Sequence, residues 1–166
     1  RALAARGVGR GTRVGILMPN WPEWIAIAFG VWECGGVVVP LNTLSRPREL
    51  GYALKSADIR LLVAVRGFLR NDYAGGLEEV APGAGTVAAP IFHRELPALR
   101  EVVWLERPDE GRPVDLGPLL ASASTLGPDW PSCLADRVRP SDPATVVFTS
   151  GTTAEPKGVV HVHRAL

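Results

Sequence analysis

Hydrophobic and polar positions alternate along this chain in blocks that switch between strand-like and helix-like spacing. Arg13 to Met18, RVGILM, is a continuous apolar run with a β-branched start, which predicts a strand buried on both faces. Asn20 follows as an N-cap and Pro22 as a first-turn residue, so a helix is expected from about Trp21 to Cys34, ending at Gly35-Gly36. Trp24, Ile25, Ile27, Phe29, Val31 and Trp32 ring that helix almost completely, which predicts burial all round and aromatics used for core packing. Val37 to Val39 reads as a second strand stopped by Pro40, and Ser45 as the cap of a helix with Pro47 in its first turn, running to about Ser56.

Arg60 to Val65, RLLVAV, reads as a third strand, and Leu69 to Val80 as a weaker helix broken by Gly75-Gly76. The small, Pro/Gly-rich stretch 81–90 reads as a surface loop. Glu101 to Leu105 is a fourth strand, Leu116 to Ser122 a short helix, Ser124 to Pro143 a connection, and Thr145 to Phe148 a fifth strand. Strands alternating with helices predict an α/β fold, a layered sheet with helices on both faces, whose ligand lies near the strand ends. There are no internal repeats.

Composition narrows this picture only slightly. The 166 residues are 46% hydrophobic and 21% charged, with 18 Lys+Arg against 17 Asp+Glu. That is the composition of a globular chain, and its charge points to no nucleic-acid or membrane partner. Cys34 and Cys133 lie far apart with no CxxC or Cys/His zinc spacing, so the expectation is two reduced thiols in a cytoplasmic protein, Cys34 as a small core residue. The longest greasy run, Trp24 to Trp32, is too short to span a bilayer, which takes roughly 20 apolar residues. The chain begins Arg1-Ala2-Leu3 without an initiator methionine, and both ends look cut.

Chemistry concentrates at Phe148–Gly158, FTSGTTAEPKG. Thr149, Ser150, Thr152 and Thr153 bring four hydroxyls that can donate to phosphate oxygens. Gly151 lets backbone N–H groups turn inward, and Lys157 adds a point charge on a long stem beside Gly158. A Walker A loop has GxxxxGK followed by Ser or Thr, with the lysine opening a helix. Here Gly158 follows the lysine, Pro156 disfavours helix at Glu155, and Val159, Val160 and Val162 prefer strand. The lysine is therefore expected between two strands, without a helix dipole. The same residues would also suit a plain polar hairpin, and spacing alone leaves both readings open.

FTSGTTAEPKG resembles the signature loop of the adenylate-forming (AMP-binding) acyl-CoA synthetase superfamily, Y/F-T-S-G-T-T-G-x-P-K-G, at ten of eleven positions. The stretch from Gly7 to Leu50 is similar to that family's first conserved segment, with its PN.PE, GG.VVPLN and proline-started helix. The likeness is thin from Gly67 to Arg139. The resemblance implies a single partial domain over 1–166, the N-terminal part of the family's large domain, ending just after the phosphate loop 148–158, with the small C-terminal domain absent. It implies that Thr149, Ser150, Gly151, Thr152, Thr153 and Lys157 hold the ATP phosphates. It implies ATP, Mg2+ and coenzyme A as co-substrates, and an ATP-dependent carboxylate–CoA ligase acting on a fatty or other apolar acid. The family's catalytic lysine and magnesium-binding glutamate are expected downstream of Leu166, so no catalytic or metal residue is placed here, and the 166 residues alone are expected to be inactive and unstable. A peptide-synthetase module, a luciferase-like oxygenase and a non-catalytic nucleotide-binding protein are the alternatives.

Ala154 stands where the family pattern has glycine. The intact remainder of the motif favours a harmless stiffening of the loop over backbone strain. The glycines of Gly7-Val8-Gly9-Arg10-Gly11 precede a strand, the reverse of a dinucleotide fingerprint. His161 and His163 share a strand face but lack a third ligand, and Glu155 reads as a solvated loop carboxylate.

Overall fold

The computed structural model describes residues 1–107, 112–149 and 156–166. A short helix, α1 (Ala2–Ala5), precedes β1 (Arg13–Leu17), α2 (Pro22–Glu33), β2 (Val37–Pro40), α3 (Pro47–Ser56) and β3 (Leu61–Val65). The two-residue strands β4 (Gly67–Phe68) and β5 (Asn71–Asp72) form a hairpin that leads into α4 (Tyr73–Val80). Then come β6 (Glu101–Leu105), α5 (Gly117–Leu120), a 3-10 turn at Ala123–Thr125, α6 (Trp130–Ala135), β7 (Pro143–Thr149), β8 (Lys157–Val162) and a 3-10 turn at His163–Ala165.

Six strands form one sheet in the order β6-β3-β1-β2-β7-β8. The first five run parallel, and β8 returns antiparallel on β7. The chain steps from β1 to β2 in one direction and from β2 back past β1 to β3 in the other. Right-handed connections therefore place α2 and α3 on opposite faces. β3 is buried along its whole length and β1 along four of its five residues, as strands covered on both faces must be. Val14, Ile16, Leu62 and Val63 form the centre of the core; each such side chain contributes about 1.5–3 kcal/mol by leaving water.

α2 ends where Gly35 takes a φ of +73°, a conformation glycine adopts without Cβ penalty. The Trp32 indole Nε1 donates to the Ala144 carbonyl at 2.8 Å and so ties this helix to β7.

Several expectations need correction. α2 is not buried all round: Ile27, Ala28 and Val31 face the sheet, while Ile25 and Phe29 are 54% and 58% exposed. Pattern alone cannot tell a helix with neighbours on every side from one whose apolar residues exceed what its neighbours cover. The caps lie one residue later than expected. Trp21, not Asn20, precedes α2, and Arg46, not Ser45, precedes α3, where the Glu49 carboxylate accepts from the Arg46 backbone N–H at 2.8 Å. Residues 69–80 are not one broken helix. The β4–β5 turn takes Leu69, with φ at +55°, and Gly75-Gly76 sits inside an intact α4 because the Asp72 side chain caps the Gly75 N–H at 2.9 Å. The stretch 124–143 contains α6, and α1 has no counterpart in the sequence reading. α1 is fastened from outside: the Ser122 hydroxyl donates to the Ala2 carbonyl, and Arg6 forms an ion pair with Glu101.

Among the described residues, no helix is long and apolar enough to cross a membrane.

Candidate functional site

The expected phosphate grip falls at the far end of the β7–β8 hairpin. β7 leaves the sheet at its carboxyl edge, where ligands of open parallel sheets gather, and β8 brings the chain back beside it. The register pairs Val146 with Val160, Val147 with Val159, Phe148 with Gly158 and Thr149 with Lys157. Thr149 and Lys157 are therefore brought face to face at the mouth of the loop, both solvent-exposed. The Thr149 Oγ1 donates to the Lys157 carbonyl at 3.4 Å, a weak contact that leaves the hydroxyl's lone pairs open. The lysine does sit at the start of a strand and not of a helix, as Pro156 and the valines predicted. Ser150, Gly151, Thr152 and Thr153, and with them Ala154 and Glu155, lie outside the described residues.

Gly158 has a packing reason. A Cβ there would meet Val146 Cγ1 at 2.9 Å and the Phe148 ring at 3.6 Å, so a side chain would push the hairpin off the sheet. Phe148 in turn meets Tyr52 of α3 edge-on, ring centroids 6.3 Å apart.

Beside this hairpin lies a cleft of about 290 Å³ between the carboxyl ends of β2 and β7 and the α3 helix. Leu41, Leu50, Ala53 and Phe148 line it, and Asn42, Ser45, Tyr52 and Thr149 supply polar groups. Thr149 and Pro156 belong to its wall, so the cleft reaches both described ends of the segment expected to hold phosphate. Its outer loop is held in place. Asn42 Oδ1 accepts from the Leu44 N–H at 2.9 Å, and the Thr43 carbonyl accepts from both Asn71 Nδ2 and the Tyr73 hydroxyl, at 2.8 and 2.9 Å. Burial pushes the Tyr73 phenol above its usual range, so it remains a donor. The sequence contained Asn42 only as part of a family-like segment. Tyr52 gave no signal, because it occupies an ordinary helix position until α3 docks beside β7.

At the other end of the hairpin sits Asp142, 4% exposed and absent from the sequence reading. Its Oδ1 accepts from Arg10 Nη2 at 2.5 Å and its Oδ2 from the Arg139 N–H at 3.0 Å. Arg10, then the Arg139 amide, hold its carboxyl below the ordinary aspartate range. His161 is exposed on β8, while His163 begins the 3-10 turn after it, so the two do not form a chelating pair on one strand. Cys34 is buried, as expected, and burial raises its thiol pKa; Cys133 is exposed.

The chain is similar to known CoA ligases. The chain is 35% identical, over 98% of its length, to a methyl-dioxo-octahydroindenyl-propanoyl–CoA ligase of Mycobacterium tuberculosis. It is 33% identical, again over 98% of its length, to the 3-hydroxybenzoate–CoA ligase of Aromatoleum sp. (strain CIB). The crystal structure of the anthranilate CoA ligase AuaEII in complex with anthranoyl-AMP superposes with a TM-score of 0.65 and 27% identity, covering 98% of this chain. The chain spans 29%, 26% and 27% of the length of these three proteins. The family model for AMP-binding enzymes matches residues 1–166 from end to end, and the chain belongs to that family.

Proposed function

We propose that this chain supplies the triphosphate grip of an ATP-dependent acid–thiol ligase, which joins a carboxylic acid to coenzyme A through an acyl-adenylate. The observation that carries this reading is the pairing of Thr149 with Lys157 across the mouth of the loop, beside a cleft of about 290 Å³. A carboxylate oxygen attacks the α-phosphorus of ATP. The O–Pα bond forms, the bond from Pα to the bridging oxygen breaks, and pyrophosphate leaves with the electron pair. The chain's task in that step is electrostatic. Lys157, the Thr149 hydroxyl and the loop donors Ser150, Gly151, Thr152 and Thr153 hold the β- and γ-phosphates and take up charge as it develops on the leaving group. No protein nucleophile is needed. The thiol of coenzyme A then displaces AMP.

Mg2+ accompanies the nucleotide as counter-ion. Among the described cleft residues the one carboxylate, Glu49, is already engaged by the Arg46 amide, so no residue of this chain is assigned to the metal. The acid is a fatty or other apolar one; the two similar ligases described above are named for ring-bearing acids. Carboxylate-dependent ATP–pyrophosphate exchange on the intact polypeptide tests the reading, with short, medium, long and cyclic acids as the panel. Exchange with at least one apolar acid is expected; none with any acid, in a folded chain, would overturn it.

A further inference from the structure

We infer that Asp142, held by Arg10, is a positioning residue for the phosphate grip: it sets the register of the β7–β8 hairpin from the end opposite the loop. This rests on the ligase reading above. Within these 166 residues, burial contributes little to setting the register of β8 on β7. Five of the six β8 residues are exposed and three of the six are valines, and a strand without a buried face specifies its pairing weakly. The pairing is also irregular between Pro143 and Thr145. A slip of one residue would turn Lys157 to the other face of the hairpin, away from Thr149.

Asp142 stands where such a slip would begin. Its carboxylate ties the loop before β1, through Arg10, to the turn before β7, through the Arg139 N–H. Its N–H donates to the Arg139 carbonyl at 2.9 Å, and its carbonyl accepts from the His163 N–H at 3.0 Å, the first residue after β8. The Arg164 N–H adds a bond to the Pro140 carbonyl at 2.9 Å. The start of β7 and the end of β8 are thus tied, at one residue, to the loop before β1. Asp142 is 4% exposed while the Arg10 side chain is 60% exposed, so the carboxylate depends on this one cation and on the Arg139 N–H to stay in place, and the register of the hairpin depends on them in turn.

The test uses the intact polypeptide with Asp142→Asn, Arg10→Met and Arg10→Lys. Asp142→Asn keeps the shape and removes the charge, and Arg10→Met leaves Asp142 itself untouched should the first variant fold poorly. Without nucleotide, amide hydrogen exchange at 146–149 and 158–162 is expected to accelerate at least tenfold in Asp142→Asn and Arg10→Met, with β1 and β3 unchanged and Arg10→Lys in between. In ATP–pyrophosphate exchange, KM for ATP is expected to rise at least tenfold while KM for the carboxylic acid holds within twofold. Hairpin amides within twofold of the parent, or amides accelerated equally throughout the sheet, would overturn the register role. Faster hairpin exchange with an unchanged KM for ATP would reduce the pair to a structural tie and overturn the positioning role. Absence of pyrophosphate exchange in the parent would count against the ligase reading alone, since hydrogen exchange still decides the register.

Discussion

Replacing Lys157 with methionine separates phosphate binding from folding, and the exposure of the lysine bounds the size of the effect. Lys157 is exposed at the first position of β8 and makes no ion pair among the described residues. Among the described residues its loss therefore removes no ion pair, and the change in folding stability should stay within about 0.5 kcal/mol. Against a phosphate oxygen about 4 Å away, one positive charge contributes about 4 kcal/mol at an effective dielectric of 20 and about 1 kcal/mol in bulk water. An exposed ammonium at the mouth of a loop lies between these limits, so about 2 kcal/mol is expected, roughly a thirtyfold loss of ATP affinity. Lys157→Arg keeps the charge in a different geometry and should lose less than tenfold. Isothermal titration with ATP, alongside thermal denaturation of the same samples, measures both quantities. An ATP Kd within threefold of the parent for the methionine variant, with an unchanged melting transition, would refute the assignment of Lys157 to the phosphates.

Other expectations concern the scaffold. Trp32→Phe keeps the apolar contacts of α2 but removes the indole donor to the Ala144 carbonyl, which should cost about 1–3 kcal/mol in urea unfolding. Asp142 has a folded pKa below its ordinary value, so its contribution to stability is fully present above about pH 4 and fades as pH falls through the lower folded pKa. The stability gap between the parent and Asp142→Asn should accordingly be largest near neutrality and narrow on acidification below pH 4 or so, as urea melts at a series of pH values would show. Cys133 is exposed and Cys34 buried with a raised thiol pKa, so iodoacetamide at mild pH should label Cys133 promptly and Cys34 at least tenfold more slowly until the chain unfolds.

Most of the sheet was legible in the sequence because parallel strands buried on both faces must be continuous apolar runs, and RVGILM and RLLVAV are such runs. The β7–β8 hairpin was legible for a different reason: Pro156 and the valines exclude a helix after the loop. What stayed hidden depends on partners distant in the chain. Ile25 and Phe29 look like core residues until the neighbours of α2 are known. Asp142 looks like a loop carboxylate until Arg10, 132 positions away, meets it. α1 is Ala2-Leu3-Ala4-Ala5, good helix formers but a single turn too short to stand alone, and Ser122 and the Arg6–Glu101 pair hold it.

The place of β7 beside β2 has a consequence for synthesis. The hairpin itself is local and can close within microseconds once both strands exist, but its seat is the edge of β2, through the pairing of Val38 with Thr145. About 100 residues separate the two, and at 5–20 residues per second roughly 5–20 s pass between their translation. Through that interval the nascent sheet carries an apolar, hydrogen-bonding edge at Val37–Pro40 with no partner strand, the kind of edge that recruits other chains. The exposure of this edge is therefore longest in the seconds before β7 emerges to cover it.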